Sequence, residues 1–163
     1  MKKEDRREEI QRLKRSPQYV TVDARFLGVT ITIFILMLTV KSELLESNLI
    51  AGQLVLSIPF WIAALVSQSK IVDFESLRKY YTLNKISSGV ALAFLYNTLG
   101  LLTVRYISLP IGLAFFSLYL AYELYTAFFH LEIRKPDRTI RDTMVLLILI
   151  FGGILPALGI INF

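Results

Sequence analysis

Residues 49–66 read LIAGQLVLSIPFWIAALV, a stretch without one charged side chain. About 20 helical residues cross the hydrocarbon core of a bilayer, within a range of roughly 17–25. This run is long enough to cross and too apolar to face water. Four others resemble it: Phe26–Val40, Gly89–Val104, Leu109–Leu131 and Met144–Ile161. Together they raise the hydrophobic share to 55% and the mean hydropathy to +0.57, where a soluble domain holds about 45–50% apolar residues. Membrane β-strands would be about ten residues long and alternate in polarity, which these runs do not. The sequence therefore predicts an all-α integral membrane protein with five transmembrane helices, about 24–41, 48–67, 87–105, 109–131 and 143–162. Residues 1–22 read as a charged cytoplasmic tail, and 23–163 as a single transmembrane helical domain. The first run borrows Arg25 and Lys41 at its ends. A long polar segment precedes it and no small-x-small site follows Val40, so it reads as a retained span rather than a cleaved signal.

Charge sets the expected orientation. Of the 18 Lys and Arg residues, all but Lys41 and Arg105 lie before residue 26 or in the 68–87 and 130–142 segments. Five spans put those three segments on one side, and Lys and Arg collect on the cytoplasmic side. The N-terminus is expected inside and the C-terminus outside. The net charge of +5 then reflects topology and attraction to anionic headgroups at the cytoplasmic face, with no nucleic-acid partner implied. The expected location is a cytoplasmic-type cell membrane, crossed several times. With no cysteine, thiolate catalysis, iron–sulfur clusters and cysteine zinc sites are excluded.

In the tail, Glu8 and Arg12 are spaced to pair on a short helix, which Pro17 is expected to end. In the 68–87 segment, Ile71, Phe74, Leu77 and Tyr81 recur at helical spacing. They predict a short amphipathic cytoplasmic helix, about 70–83, lying at the lipid interface, extending the third span or docking a partner. Gly89, Ala93 and Asn97, and likewise Gly153 and Ala157, form small-residue strips that let helices approach closely. Pro59 and Pro156 each free a carbonyl within a span and are expected to kink it.

The polar residues inside the runs are few. At 1.5 Å of rise per residue, Thr32, Ser57, Asn97 and Tyr119 fall at similar depths, roughly 12–15 Å from the outer ends. Asn97 needs a partner there, and Tyr119 and Ser57 are the nearest in depth. Glu123 is the one acid within the apolar runs. Tyr119, Glu123, Thr126 and His130 share one stripe of their helix, flanked by Tyr122. An intramembrane carboxylate faces the bundle interior and has a partner, and Arg25 lies about one turn away in depth. Two roles follow for Glu123: a structural pair with Arg25, or an ion or proton site in a cavity with His130 at its mouth.

One histidine and one acid within the runs supply no catalytic triad, HExxH metal site or paired carboxylates, so an enzyme is disfavoured and no metal or cofactor is expected. The leading functional expectation is an ion or small-solute transport or channel component using a buried carboxylate. A non-catalytic accessory or assembly subunit of a membrane complex comes second. A lipid-modifying enzyme using Asp73, Glu75, Asp137 and Asp142 comes third. A thin five-helix bundle also points to a homo-oligomer or a membrane-complex partner. The topology predicts that single cysteines at Asp5, Ser76 and Arg138 react with impermeant reagent only from the cytoplasm, and cysteines at Leu45 and Phe163 only from outside. Labelling of position 138 from outside overturns the five-span order.

Overall fold

The computed structural model describes the backbone over residues 3–40, 48–73, 77–132 and 136–160, and side chains over 20–39, 48–71, 80–129 and 139–160. Every regular element among them is helical: α1 (Lys3–Val40), α2 (Asn48–Asp73), α3 (Leu77–Tyr106), α4 (Leu109–Glu132) and α5 (Pro136–Leu149). The last continues through a π-helical segment (Ile150–Ile154) into a final turn, α6 (Leu155–Ala157). Five stretches are long and apolar enough to cross a membrane: Val20–Thr39, Asn48–Ile71, Tyr80–Tyr106, Leu109–Phe129 and Thr139–Ala157.

Two sequence expectations change. Pro17 does not end a tail helix, because α1 runs unbroken from Lys3 to Val40. Proline removes one N–H and so deprives only the Leu13 carbonyl of its helical partner. The helix expected over 70–83 is divided between two spans, and its second half follows the alternative of extending the third span. Lys70–Asp73 forms the last turn of α2 and Leu77–Leu83 the first turns of α3, while Phe74 lies outside the described residues. Ile71 is buried and Tyr81 half-buried, with the Lys85 ammonium 4.3 Å from the Tyr81 ring centroid. Spans continue through their flanking basic residues because such side chains carry their charge to water on a long apolar stem.

α3 is the centre of the bundle. It packs against α2, α4 and α5, whereas α1 packs mainly on α2. More than half of its span is buried, 56%, against 17% for those of α1 and α4. Neighbours run antiparallel: Gly112 of α4 faces Val104 of α3 and Gly100 of α3 faces Phe116 of α4. α5 runs parallel to α3, with Gly89 facing Arg141 and Asn97 facing Gly152 and Gly153. The strip of Gly89, Ala93 and Asn97 is buried throughout, and α5 lies along it. Between α1 and α2, the Phe26 ring stacks on the fully buried Trp61 at 5.3 Å.

Local signals set the ends. The Ser108 Oγ accepts from the Ile111 N–H at 3.4 Å and caps α4, the role for which serine is favoured at a helix start. After α6, the Gly159 and Ile160 N–H groups donate back to Pro156 and Leu155. That reversal needs the left-handed φ of +73° at Gly159.

The packing predicts opposite signs for two glycine substitutions. A Cβ at Gly100 would stand 2.7 Å and 2.8 Å from Cε1 and Cε2 of Phe116, a ring only 1% exposed and unable to step aside. Gly100→Ala should destabilise by about 1–3 kcal/mol. Gly28 has open space around its Cβ position, so Gly28→Ala should be neutral or stabilising by up to about 1 kcal/mol through helix propensity. Thermal melts in detergent measure both, and equal effects would refute the packing.

Candidate functional site

α4 buries one narrow stripe. Tyr119 and Glu123, one turn apart, are 9% and 5% exposed, while Tyr122 is 60% exposed on the outward side. The Thr126 hydroxyl donates at 2.9 Å to the Glu123 main-chain carbonyl rather than to its carboxylate. The side chain of His130 lies outside the described residues. The predicted four-residue polar stripe is thus a buried pair, Tyr119 and Glu123, with Thr126 bonded locally at its edge.

The cation that meets Glu123 is Arg141 of α5, whose Nη2 lies 3.3 Å from Oε2. The expected partner Arg25 is exposed on α1, a helix that packs mainly on α2. Depth along a helix axis brought Arg25 within about one turn of Glu123, but lateral packing keeps α1 apart. Arg141 reaches inward over a glycine: a Cβ on Gly89 would touch its Cγ at 3.0 Å and its Cδ at 3.1 Å. Its Nε is 2.9 Å from Oδ1 of Asp142, and the side chains of Arg141 and Asp142 are 23% and 4% exposed. Tyr119 lies one turn from Glu123 on the same buried stripe, and its ring packs on Tyr96 at 4.4 Å.

The guanidinium thus donates a hydrogen bond to Glu123 and stands in close ionic contact with Asp142, without hydrogen-bond alignment to the latter. The 3.3 Å contact to Glu123 is longer than the roughly 2.7–2.9 Å of a tight charge-assisted bond, so the guanidinium is not locked onto that acid.

Two further polar clusters lie in the interior. Asp23 of α1 accepts at 3.1 Å from Asn84 of α3, whose Nδ2 also donates at 2.9 Å to the Ala64 carbonyl of α2. Toward the opposite end, Asn97 Nδ2 donates to the Ile148 carbonyl at 2.8 Å and Gln53 Nε2 to the Gly152 carbonyl at 2.7 Å. Asn97 thus finds its partner on α5 rather than in Tyr119 or Ser57. The Ser57 hydroxyl donates to Leu54 and the Thr32 hydroxyl to Gly28, each within its own helix. Pro156 has no N–H to offer the Gly152 carbonyl four residues earlier. Gln53 takes that place, and the distortion expected at Pro156 takes the form of the π segment.

Asp23, Gln53, Asn84 and Arg141 are the residues that sequence reasoning missed, while Asp142, named there only for a lipid-modifying site, stands beside Arg141. A signal existed for Asp142 and Asp23. Asp142 continues the buried Val145–Leu149 face at helical spacing, and Asp23 precedes buried Thr30 and Met37 by seven and fourteen positions. Among the described residues, no three His, Asp or Glu side chains gather as a metal site. No protein family, curated protein or solved structure matches the chain.

The cluster predicts an order of damage. Arg141→Met removes the cation paired with the buried Glu123 carboxylate and should cost on the order of 3–5 kcal/mol. Glu123→Gln leaves Arg141 with Asp142 and should cost about 1.5–3 kcal/mol. Arg25→Met should stay within about 0.5 kcal/mol. Denaturation of the three variants in detergent gives the order, and a larger loss for Arg25→Met than for Arg141→Met would reinstate the α1 pairing.

Proposed function

We propose that the protein is an ion or small-solute transport or channel component of a cytoplasmic-type cell membrane, with Glu123, Arg141 and Asp142 as its cation- or proton-binding station. The observation that carries this reading is the Glu123 carboxylate, 5% exposed within a span and 3.3 Å from the partly exposed guanidinium of Arg141. A carboxylate so placed can take up and release a proton or a cation, the elementary step of transport. Intramembrane ionisable groups mark such pathways.

In this reading the N-terminus and the basic loops face the cytoplasm and the C-terminus faces outside, in keeping with the bias of Lys and Arg. Arg141, still 23% exposed, would connect the station to the cytoplasmic surface, where anionic headgroups meet the basic loops. The slight burial of the α1 and α4 spans, 17% each, supports assembly with further copies or with another membrane protein.

A second reading, a non-catalytic accessory subunit, draws on the outward face of α4. Leu118, Tyr125 and Phe128 are each more than 70% exposed there, and Leu124, Tyr125, Phe128 and Phe129 line a groove of about 500 Å³. Flux measurements on purified protein in vesicles separate the two. Under a pH or alkali-cation gradient, wild type should conduct, and Glu123→Gln and Asp142→Asn should lose at least tenfold in flux while remaining folded. Arg25→Met should conduct as wild type does. Unchanged flux in Glu123→Gln removes the station, and no flux in wild type favours the accessory subunit.

A further inference from the structure

The amide cluster at the π segment has an unanswered half. Gln53 and Asn97 are 4% and 0% exposed, and both side-chain oxygens, Gln53 Oε1 and Asn97 Oδ1, lack a hydrogen-bond partner among the described residues. Turning either amide end for end does not help. Each nitrogen already donates to a main-chain carbonyl, Ile148 or Gly152, and the reversed amide would set oxygen against oxygen. Both orphans are thus acceptors, and both need a donor.

The surroundings offer none. Ser57, one turn along α2 from Gln53, donates to Leu54, and Thr98 donates to Phe94. What borders both oxygens is a pair of glycines. A Cβ on Gly152 would lie 3.2 Å from Gln53 Oε1 and 2.8 Å from Asn97 Nδ2, and one on Gly153 would lie 2.5 Å from Asn97 Oδ1. The two amides therefore meet at the same strip of α5, packed closely on its two glycines, with the Phe116 Cε1 atom 2.6 Å from the Cβ position of Gly153.

We propose that Gln53 and Asn97 hold one buried water molecule against the π segment, donating one proton to each amide oxygen. The stoichiometry decides the ligand: two acceptors on neutral side chains match the two protons of a single water. A bare cation would need several more oxygens, as the six to eight around calcium illustrate, and here the neighbouring carbonyls are turned to the amide nitrogens. In a bilayer core no bulk water reaches such groups, so the molecule is a structural component of the bundle. It also marks where α5 departs from α-helical geometry, at the kind of π-bulge often found at functional sites. Asn97 lies eight residues along α3 from Gly89, which underlies Arg141, so this wet point and the charged cluster are about 12 Å apart. The assignment stands whether or not Glu123 carries an ion.

The test is magnetisation transfer from water to side-chain amides, by solid-state NMR on the full chain labelled at Asn and Gln in lipid bilayers. Wild type should show strong transfer at both Gln53 and Asn97. In Asn97→Leu the Gln53 signal should fall at least threefold, since the water has lost one of its two holders. Gln53→Met, which preserves shape, should do the same to Asn97 and serves if Asn97→Leu does not fold. No transfer in wild type, or transfer unchanged in both variants, overturns the assignment. A rise in melting temperature with sodium or potassium over choline at equal ionic strength, lost in both variants, would identify a cation and equally overturn it.

Discussion

Along α3, Gly89, Ala93 and Asn97 form a strip with little side-chain bulk, and the approach of α5 to that strip positions most of the polar interior. At Gly89 the missing Cβ lets the Arg141 stem pass inward toward Glu123. At Asn97 the two glycines of the π segment come close enough for an amide to reach a main-chain carbonyl. Close helix approach in membranes generally rests on small residues. Here it also carries the charge, because a bulkier residue at position 89 would contact the Arg141 stem. The geometry of the Glu123 cluster is in that sense a property of α3, which contributes no charge to it.

Two kinds of polar contact divide the interior, and their energies differ. Interhelical hydrogen bonds between neutral groups in membranes average about 0.6 kcal/mol, enough to select one packing among several but not to hold a bundle. The Asn97 and Gln53 contacts belong to this class and keep α2, α3 and the π segment in register. Charged groups respond more steeply, because a buried ion that loses its partner meets a medium that cannot solvate it. The single guanidinium between Glu123 and Asp142 is therefore the point at which a small rearrangement has the largest effect.

The five helices were legible because five long apolar runs suit membrane spans, and the runs contain the middle of every stretch long and apolar enough to cross. Their ends were less so. Ile71, Leu77 and Tyr81 share one helical face in sequence, and they belong to the continuing turns of α2 and α3. For the site, Glu123 was legible from its cost in an apolar run, and its partner was not. Sequence reports depth along a helix, which placed Arg25 about one turn from Glu123, but not which helix stands alongside. Arg141 and Asp142 were read with the basic loop of residues 130–142, because the apolar run starts only at Met144, although the buried helical face begins earlier. Gln53 gave no signal, since its role exists only where Pro156 leaves a carbonyl without a donor.

The Asp23–Asn84 contact has a consequence in time. The partners are 61 residues apart, and a ribosome adds about 5–20 residues per second, so roughly 3–12 s of synthesis separate their appearance. During that interval α1 is already complete, while the helix that satisfies its buried acid has not been made. Asp23 sits near the start of its span, where a carboxylate can wait among headgroups and water. A position at mid-span would have held an unpartnered charge in hydrocarbon for the same seconds. The acid's place in the chain thus suits the order of assembly as well as the finished fold, and it makes α1 a helix that arrives first and docks late.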